Sequence, residues 1–136
     1  MVDSIDHKLI NVLKENSRLS FAEIGRKINL SPSAVRERVQ KLEVSGIIKK
    51  YTIELNHPSL GYDIEAFILL KVFQGRLKQT IADITAFPEV VEAHRITGSE
   101  NIHLKVLLPN QLSLQKLLDK LMIYGDTNTF LILSKL

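Results

Sequence analysis

Ser33, Arg36, Glu37, Gln40 and Lys41 have the residue types that read nucleic acid, and their spacing gathers them on one side of a helix. With Val35, Val39 and Leu42 facing inward, steps of ~100° per residue carry Ser33, Glu37, Gln40 and Lys41 to the opposite face, with Arg36 on one flank and Ala34 on the other. Arg36, Gln40 and Lys41 are donors suited to base edges or to phosphates. Ser31 and Ser33 occupy the helix start, the part that enters a DNA groove. Glu37 suits a cytosine amine, or it holds Arg36 or Lys41 in place. Arg38 projects nearer the core boundary, where it either braces the unit or reaches a phosphate.

Such a helix needs elements that present it. Ser20-Phe21-Ala22-Glu23 has the form of a capping box, and Ile24 and Ile28 give the helix it opens an apolar stripe. Asn29 tolerates the left-handed backbone of a sharp turn, and Ser31-Pro32 restarts the chain as hydroxyl cap and first-turn proline. Gly25 is small where the helices meet, and Gly46 is a left-handed stop. Two short helices and a tight turn make a helix-turn-helix. Upstream, Asp3 caps a helix over residues 4–16 with Asp6 in its first turn, and Ile5, Leu9, Val12 and Leu13 pack it on the pair. Downstream, Ile47 to Ile53 is rich in β-formers and predicts a strand, hence a winged helix-turn-helix over residues 1–55. Lys49 and Lys50 on it suit a phosphate backbone and equally suit a polar edge that prevents aggregation.

Charge divides along the chain. Residues 1–50 carry 10 Lys+Arg against 6 Asp+Glu, whereas residues 51–136 carry 8 against 9. A basic front half implies a phosphate-bearing partner, double-stranded DNA, and a balance of only +4 implies that two copies bind together. The 136 residues are 45% hydrophobic with only 4 prolines, which describes a folded chain. No cysteine is present, so disulfides and thiolate metal sites are excluded. No apolar run approaches the ~18 residues of a membrane helix, and Asp3 and Asp6 do not suit a signal peptide. A cytoplasmic, nucleoid-associated protein without membrane contact is expected.

Residues 56–63, with Pro58 and Gly61, read as a linker. Beyond it the pattern changes. Strands are expected at Glu65–Phe73, Val90–Thr97, Asn101–Leu108 and Thr127–Ser134. Helices are expected around Leu77, Ile81 and Ile84, and from the Asn110 cap through Leu114, Leu117, Leu118, Leu121 and Met122. The order βαββαβ over residues 64–136 is ferredoxin-like, and the chain as a whole is α+β. One sheet face lies under the helices, yet the other is not polar. Phe67, Leu69 and Phe73 accompany Ile68, Leu70 and Val72, while Leu131 and Leu133 accompany Phe130 and Ile132. Soluble monomers rarely expose such a patch, so a homodimer is expected.

Other chemistries lack their motifs. His7, His57, His94 and His103 share no helical i, i+4 spacing, and no carboxylate pattern accompanies them. His94 and His103 fall on neighbouring strands, where a register shift of one residue separates their faces. No Walker loop or dinucleotide fingerprint is present, so neither metal nor cofactor is expected.

Taken together, Leu30-Ser31-Pro32-Ser33, Glu37-Arg38-Val39-Gln40-Lys41-Leu42-Glu43, Gly46-Ile47-Ile48 with Tyr51-Thr52, and Ile96-Thr97-Gly98 resemble the Lrp/AsnC family of transcription regulators. The likeness runs over nearly the whole chain. It implies a non-enzymatic, sequence-specific DNA-binding regulator whose βαββαβ regulatory domain dimerises through its sheet, with dimers assembling into octamers. It also implies an amino-acid effector bound between dimers. The turn Gly98, Ser99, Glu100 and Asn101 is then the expected effector site, with Phe130 and Ile132 as its apolar wall. Asn101 stands where the family usually has aspartate, which leaves Glu100 to meet an ammonium group. Sirohaem decarboxylases resemble the same architecture, and an architectural DNA-binding protein without an effector is the third reading. The charged second helix favours the regulator.

Overall fold

The computed structural model describes residues 1–136 and divides into two compact units, Met1–Glu54 and Leu55–Leu136. The first holds three helices: α1 (Ser4–Glu15), α2 (Phe21–Ile28) and α3 (Pro32–Val44). Their starts are set locally. The Asp6 N–H donates to Asp3 Oδ1 at 2.8 Å and the Asp3 N–H to Asp6 Oδ2 at 3.1 Å, a reciprocal cap on α1. Ser20 and Glu23 repeat the device on α2, with distances of 2.9 and 3.1 Å. Ser31 caps α3 through the Ala34 N–H, and Pro32 follows it. Asn29 takes the left-handed backbone at φ 57°, and α3 ends before Gly46 at φ 77°. Leu9, Ile24, Val35, Val39 and Leu42 form the core of this unit.

The expected strand at Ile47–Ile53 does not form, so there is no wing within the unit. Residues 49–56 carry no helix or strand, and the four strands of the chain all lie in the second unit. The β-forming side chains are there, but a strand also needs a ladder partner, and a unit of three helices offers none. Tyr51, Ile53 and Leu55 stay exposed in consequence.

In the second unit a short 3-10 turn (Pro58–Leu60) precedes β1 (Ile64–Val72), α4 (Leu77–Ile84), β2 (Val90–Arg95), β3 (Ile102–Leu108), α5 (Gln111–Leu121) and β4 (Gly125–Leu131). The sheet order is β2-β3-β1-β4 with every pair antiparallel, the βαββαβ arrangement expected. Ala66, Ile68, Leu70 and Val72 of β1 alternate into a core shared with Ile102, Leu104, Val106 and Leu108 of β3, closed by Ile84, Leu117 and Leu121 from the helices. The last strand begins and ends earlier than the apolar pattern predicts. The chain turns after Leu121, which leaves Met122 exposed and puts Tyr124 in the core, its hydroxyl donating to Asp83 at 2.9 Å. Ile132 lies just past β4, although its N–H still donates to the Glu65 carbonyl at 2.8 Å.

The opposite sheet face mixes apolar and charged side chains. Phe67 faces Phe130 across β1 and β4, and Leu69 and Leu107 lie beside them. Glu65, Lys71, Lys105, His103, His94 and Asp126 share that side, and Lys105 pairs with Glu65 at 3.2 Å. Phe130 is 48% exposed. Leu131 instead lies opposite Ala66 on the helix-covered side, and Leu133 follows the end of the strand. No helix is long and apolar enough to cross a membrane.

Candidate nucleic-acid interface and effector turn

Helix α3 separates its residues as the angular argument requires. Val35, Val39 and Leu42 are buried, whereas Ser31, Ser33, Arg36, Glu37, Gln40 and Lys41 are all exposed. Its 13 residues span ~20 Å at ~1.5 Å per residue, and a major groove ~12 Å wide admits a helix. Arg36 makes no hydrogen bond or ion pair within the chain, so its guanidinium is available. Lys41 stands 3.2 Å from Glu37 one turn before it, an exposed pair worth little to stability. Glu37 thus holds Lys41 rather than Arg36. Ser31 and Ser33 join their hydroxyls at 3.2 Å, which fixes the first turn.

Arg38 has the bracing role of the two it was offered. Its Nη1 donates to both carboxylate oxygens of Asp3 and to Asp6 Oδ1, each at 2.9 Å. The guanidinium ties the middle of α3 to the capped start of α1, so it is a positioning residue and its charge is already matched. The Arg38 hydrogen bond, helped by the Asp6 backbone N–H, pulls the Asp3 carboxyl down from 3.8 to about 2. A depressed carboxylate pKa stabilises the fold above its unfolded value and loses that contribution as pH falls through the folded one. The brace should therefore hold at pH 5 and loosen between about pH 4 and pH 2. A titration of the Asp3 carboxyl followed by carbon-13 NMR should give a midpoint near 2, and a midpoint near 3.8 would remove the brace.

Lys49 and Lys50 follow the left-handed turn at Gly46 on the extended segment and are exposed. They line a groove with Lys14 and Arg18, two cations near the end of α1 that the sequence reading passed over.

The β2–β3 turn is tightly specified. Gly98 has φ 124°, a conformation that a side chain would oppose. The Ser99 hydroxyl donates to Glu100 Oε2 at 2.5 Å. Asn101 is locked in place: its N–H donates to the Leu70 carbonyl at 3.1 Å, and its Oδ1 accepts the Val72 N–H at 2.9 Å. The amide oxygen is thus engaged in holding β3 to the end of β1, and its Nδ2 remains as donor. Within one chain, Phe130 and Ile132 do not wall this turn. They lie by Phe67 and Glu65, at the other end of β1 from Leu70 and Val72, ~17 Å away at ~3.4 Å per residue. Strand order, which apolar pattern does not determine, makes that separation.

Comparison with known proteins covers both units. The AsnC-type helix-turn-helix domain matches residues 2–43, and the Lrp/AsnC ligand binding domain matches residues 65–136. The HTH-type transcriptional regulator LrpC of Bacillus subtilis is 35% identical over 99% of this chain and 94% of its own length. Its solved structure superposes with a TM-score of 0.94 at 34% identity, over 100% of this chain and 97% of that one. The HTH-type transcriptional regulator FL11 of Pyrococcus furiosus is 35% identical over 88% of this chain and 79% of its own. A Neisseria meningitidis transcriptional regulator, solved as its L-Met complex, has a TM-score of 0.93 at 26% identity, covering 100% of this chain and 92% of that one. Two domain matches in the right order, on the helix-turn-helix and four-stranded sheet just described, agree with whole-length similarity to named regulators. The chain belongs to the Lrp/AsnC family of helix-turn-helix transcription regulators with a C-terminal ligand-binding domain.

Proposed function

We propose that this regulator reads double-stranded DNA with the outward face of α3 and reports a small effector through its sheet domain. The observation that carries the reading is the clean division of α3 into a buried apolar side and an exposed side bearing Ser33, Arg36, Glu37, Gln40 and Lys41. Ser31 fixes the entering turn, and Lys49 and Lys50 take phosphates beside it. Arg38 supports the helix from behind. The chain works at chromosomal DNA in the cytoplasm and not as a decarboxylase, since its relatives are named as regulators. Gel-shift titration of the purified chain on its operator tests this directly, with Soret absorbance as the control for a tetrapyrrole.

Two copies pair through the open sheet face, where the exposed Phe130 adjoins Phe67, and pairs assemble further toward octamers. Pairing also supplies the second reading helix that a modestly basic unit requires. The full chain should sediment as a dimer or larger at micromolar concentration without DNA, and Phe67→Glu should shift it toward monomer. A parent chain that is a stable monomer at that concentration would leave this face without a role.

The effector is an amino acid held at Gly98–Asn101. Glu100 faces its ammonium group and the Asn101 Nδ2 donates to an acceptor. Phe130 and Ile132 form its apolar wall from another copy, since those of the same chain lie too far away. A thermal-shift screen of the twenty amino acids should yield a hit. Glu100→Gln should then weaken that ligand at least about tenfold, or ~1.4 kcal/mol. Equal affinity of variant and parent by calorimetry would place the ligand elsewhere.

A further inference from the structure

The register between β2 and β3 sets His94 directly opposite His103, with ring centroids 6.3 Å apart and planes at 51°. Both rings stand on the sheet face that no helix covers, because Ala93, Leu104 and Ile102 alternate to the other side. Neither imidazole has a hydrogen bond or ion pair in the chain, whereas Glu65 and Lys105 on the same face pair with each other. Phe67 lies against His103 at 4.9 Å and restricts that ring. We infer that His94 and His103 together bind a divalent cation of the borderline class, Zn²⁺ or Ni²⁺, with one imidazole nitrogen from each strand.

The spacing suits one ion. A nitrogen bound at ~2.1 Å puts the metal ~3.2 Å from each ring centre, so a tetrahedral ion brings the two centres to ~5 Å. Side-chain rotation by about an ångström closes the difference, with no backbone movement. Electrostatics also permit it. Lys105, the next residue of β3 on this face, is drawn to Glu65 at 3.2 Å and its charge is met there. Glu92, two residues before His94 and opposite Lys105, adds a carboxylate to the neighbourhood. No third protein ligand completes a cluster, so water, or a group from a second copy, fills the remaining positions. Two imidazoles leave coordination positions open, unlike the closed four-ligand shell of a structural zinc site. The site shares the face through which two copies are proposed to pair, so a second copy is the source of its remaining ligands where pairing occurs and water is where it does not; the effector turn plays no part in it.

The test is calorimetric titration of the untagged full chain with Zn²⁺, repeated with Ni²⁺, on parent, His94→Gln, His103→Gln and the control His57→Gln. The parent should bind one ion per chain, or one per two chains. Each of the first two variants should weaken binding roughly tenfold or more, with unchanged circular dichroism, and His57→Gln should bind as the parent does. Failure of the parent to bind either ion at 100 µM, or parent-like binding by the His94→Gln/His103→Gln double variant, would overturn the site. His103→Phe preserves a ring against Phe67, so loss of binding in that variant too separates ligation from packing.

Discussion

Gly25→Val is expected to unfold the DNA-reading unit. A Cβ at residue 25 would sit 2.2 Å from the Leu30 carbonyl oxygen and 3.3 Å from its carbon, and both are backbone atoms. They cannot move aside, because the Leu30 N–H donates to the Gly25 carbonyl at 2.9 Å and closes the turn. A helix-interior glycine costs up to ~1 kcal/mol against alanine, so even Gly25→Ala gains something in propensity. Overlap with a fixed carbonyl exceeds that gain, and the valine variant should lose about 3 kcal/mol or more. A core this small has little reserve. Urea unfolding followed by far-ultraviolet dichroism should show the helical transition moved to much lower denaturant. A Gly25→Ala midpoint equal to the parent's would mean that the turn relaxes freely.

Arg36→Ala with Lys41→Ala should leave the fold intact and remove specific DNA binding. Arg36 has no partner in the chain, and Lys41 has only the exposed Glu37, so neither truncation opens the core. Each side chain that contacts a base edge contributes about 1–3 kcal/mol of discrimination. If one of them meets a phosphate instead, the loss is uniform across sequences and the slope of log affinity against log salt falls by ~0.9. The two roles are therefore separable in one titration series. Gln40→Ala should follow the first pattern and Lys50→Ala the second.

The helical unit was legible in the sequence because its signals are local. Asp3 with Asp6, Ser20 with Glu23, and Ser31 before Pro32 each act within four residues, and all three caps are present. The turn at Asn29 and the buried stripe of α3 follow from the same short-range rules. What the sequence could not supply was partnership. Ile47–Ile53 has strand propensity but no strand to join. Arg38 was ambiguous between phosphate and brace until Asp3 and Asp6, more than thirty residues earlier in sequence, came within 2.9 Å. The same limit explains the effector turn. Gly98–Asn101 is expected as an effector site from the family resemblance together with its residue types, yet Phe130 and Ile132 could be placed only once β4 was seen to pair with β1 and not with β3. His94 and His103 depended on a register that one residue would have undone. Asn101 carries a structural hydrogen bond that its identity alone does not reveal.

The exposed side of α3 is proposed to read sequence. The most direct measurement of this is fluorescence anisotropy of the full chain on a duplex enriched from a random pool, against the same duplex with its bases shuffled. The parent should prefer the enriched duplex by about 10³ or more at physiological salt. The Arg36→Ala/Lys41→Ala variant should bind both duplexes weakly and nearly equally. A variant that keeps the parent's affinity and preference would contradict the account and move recognition off this helix.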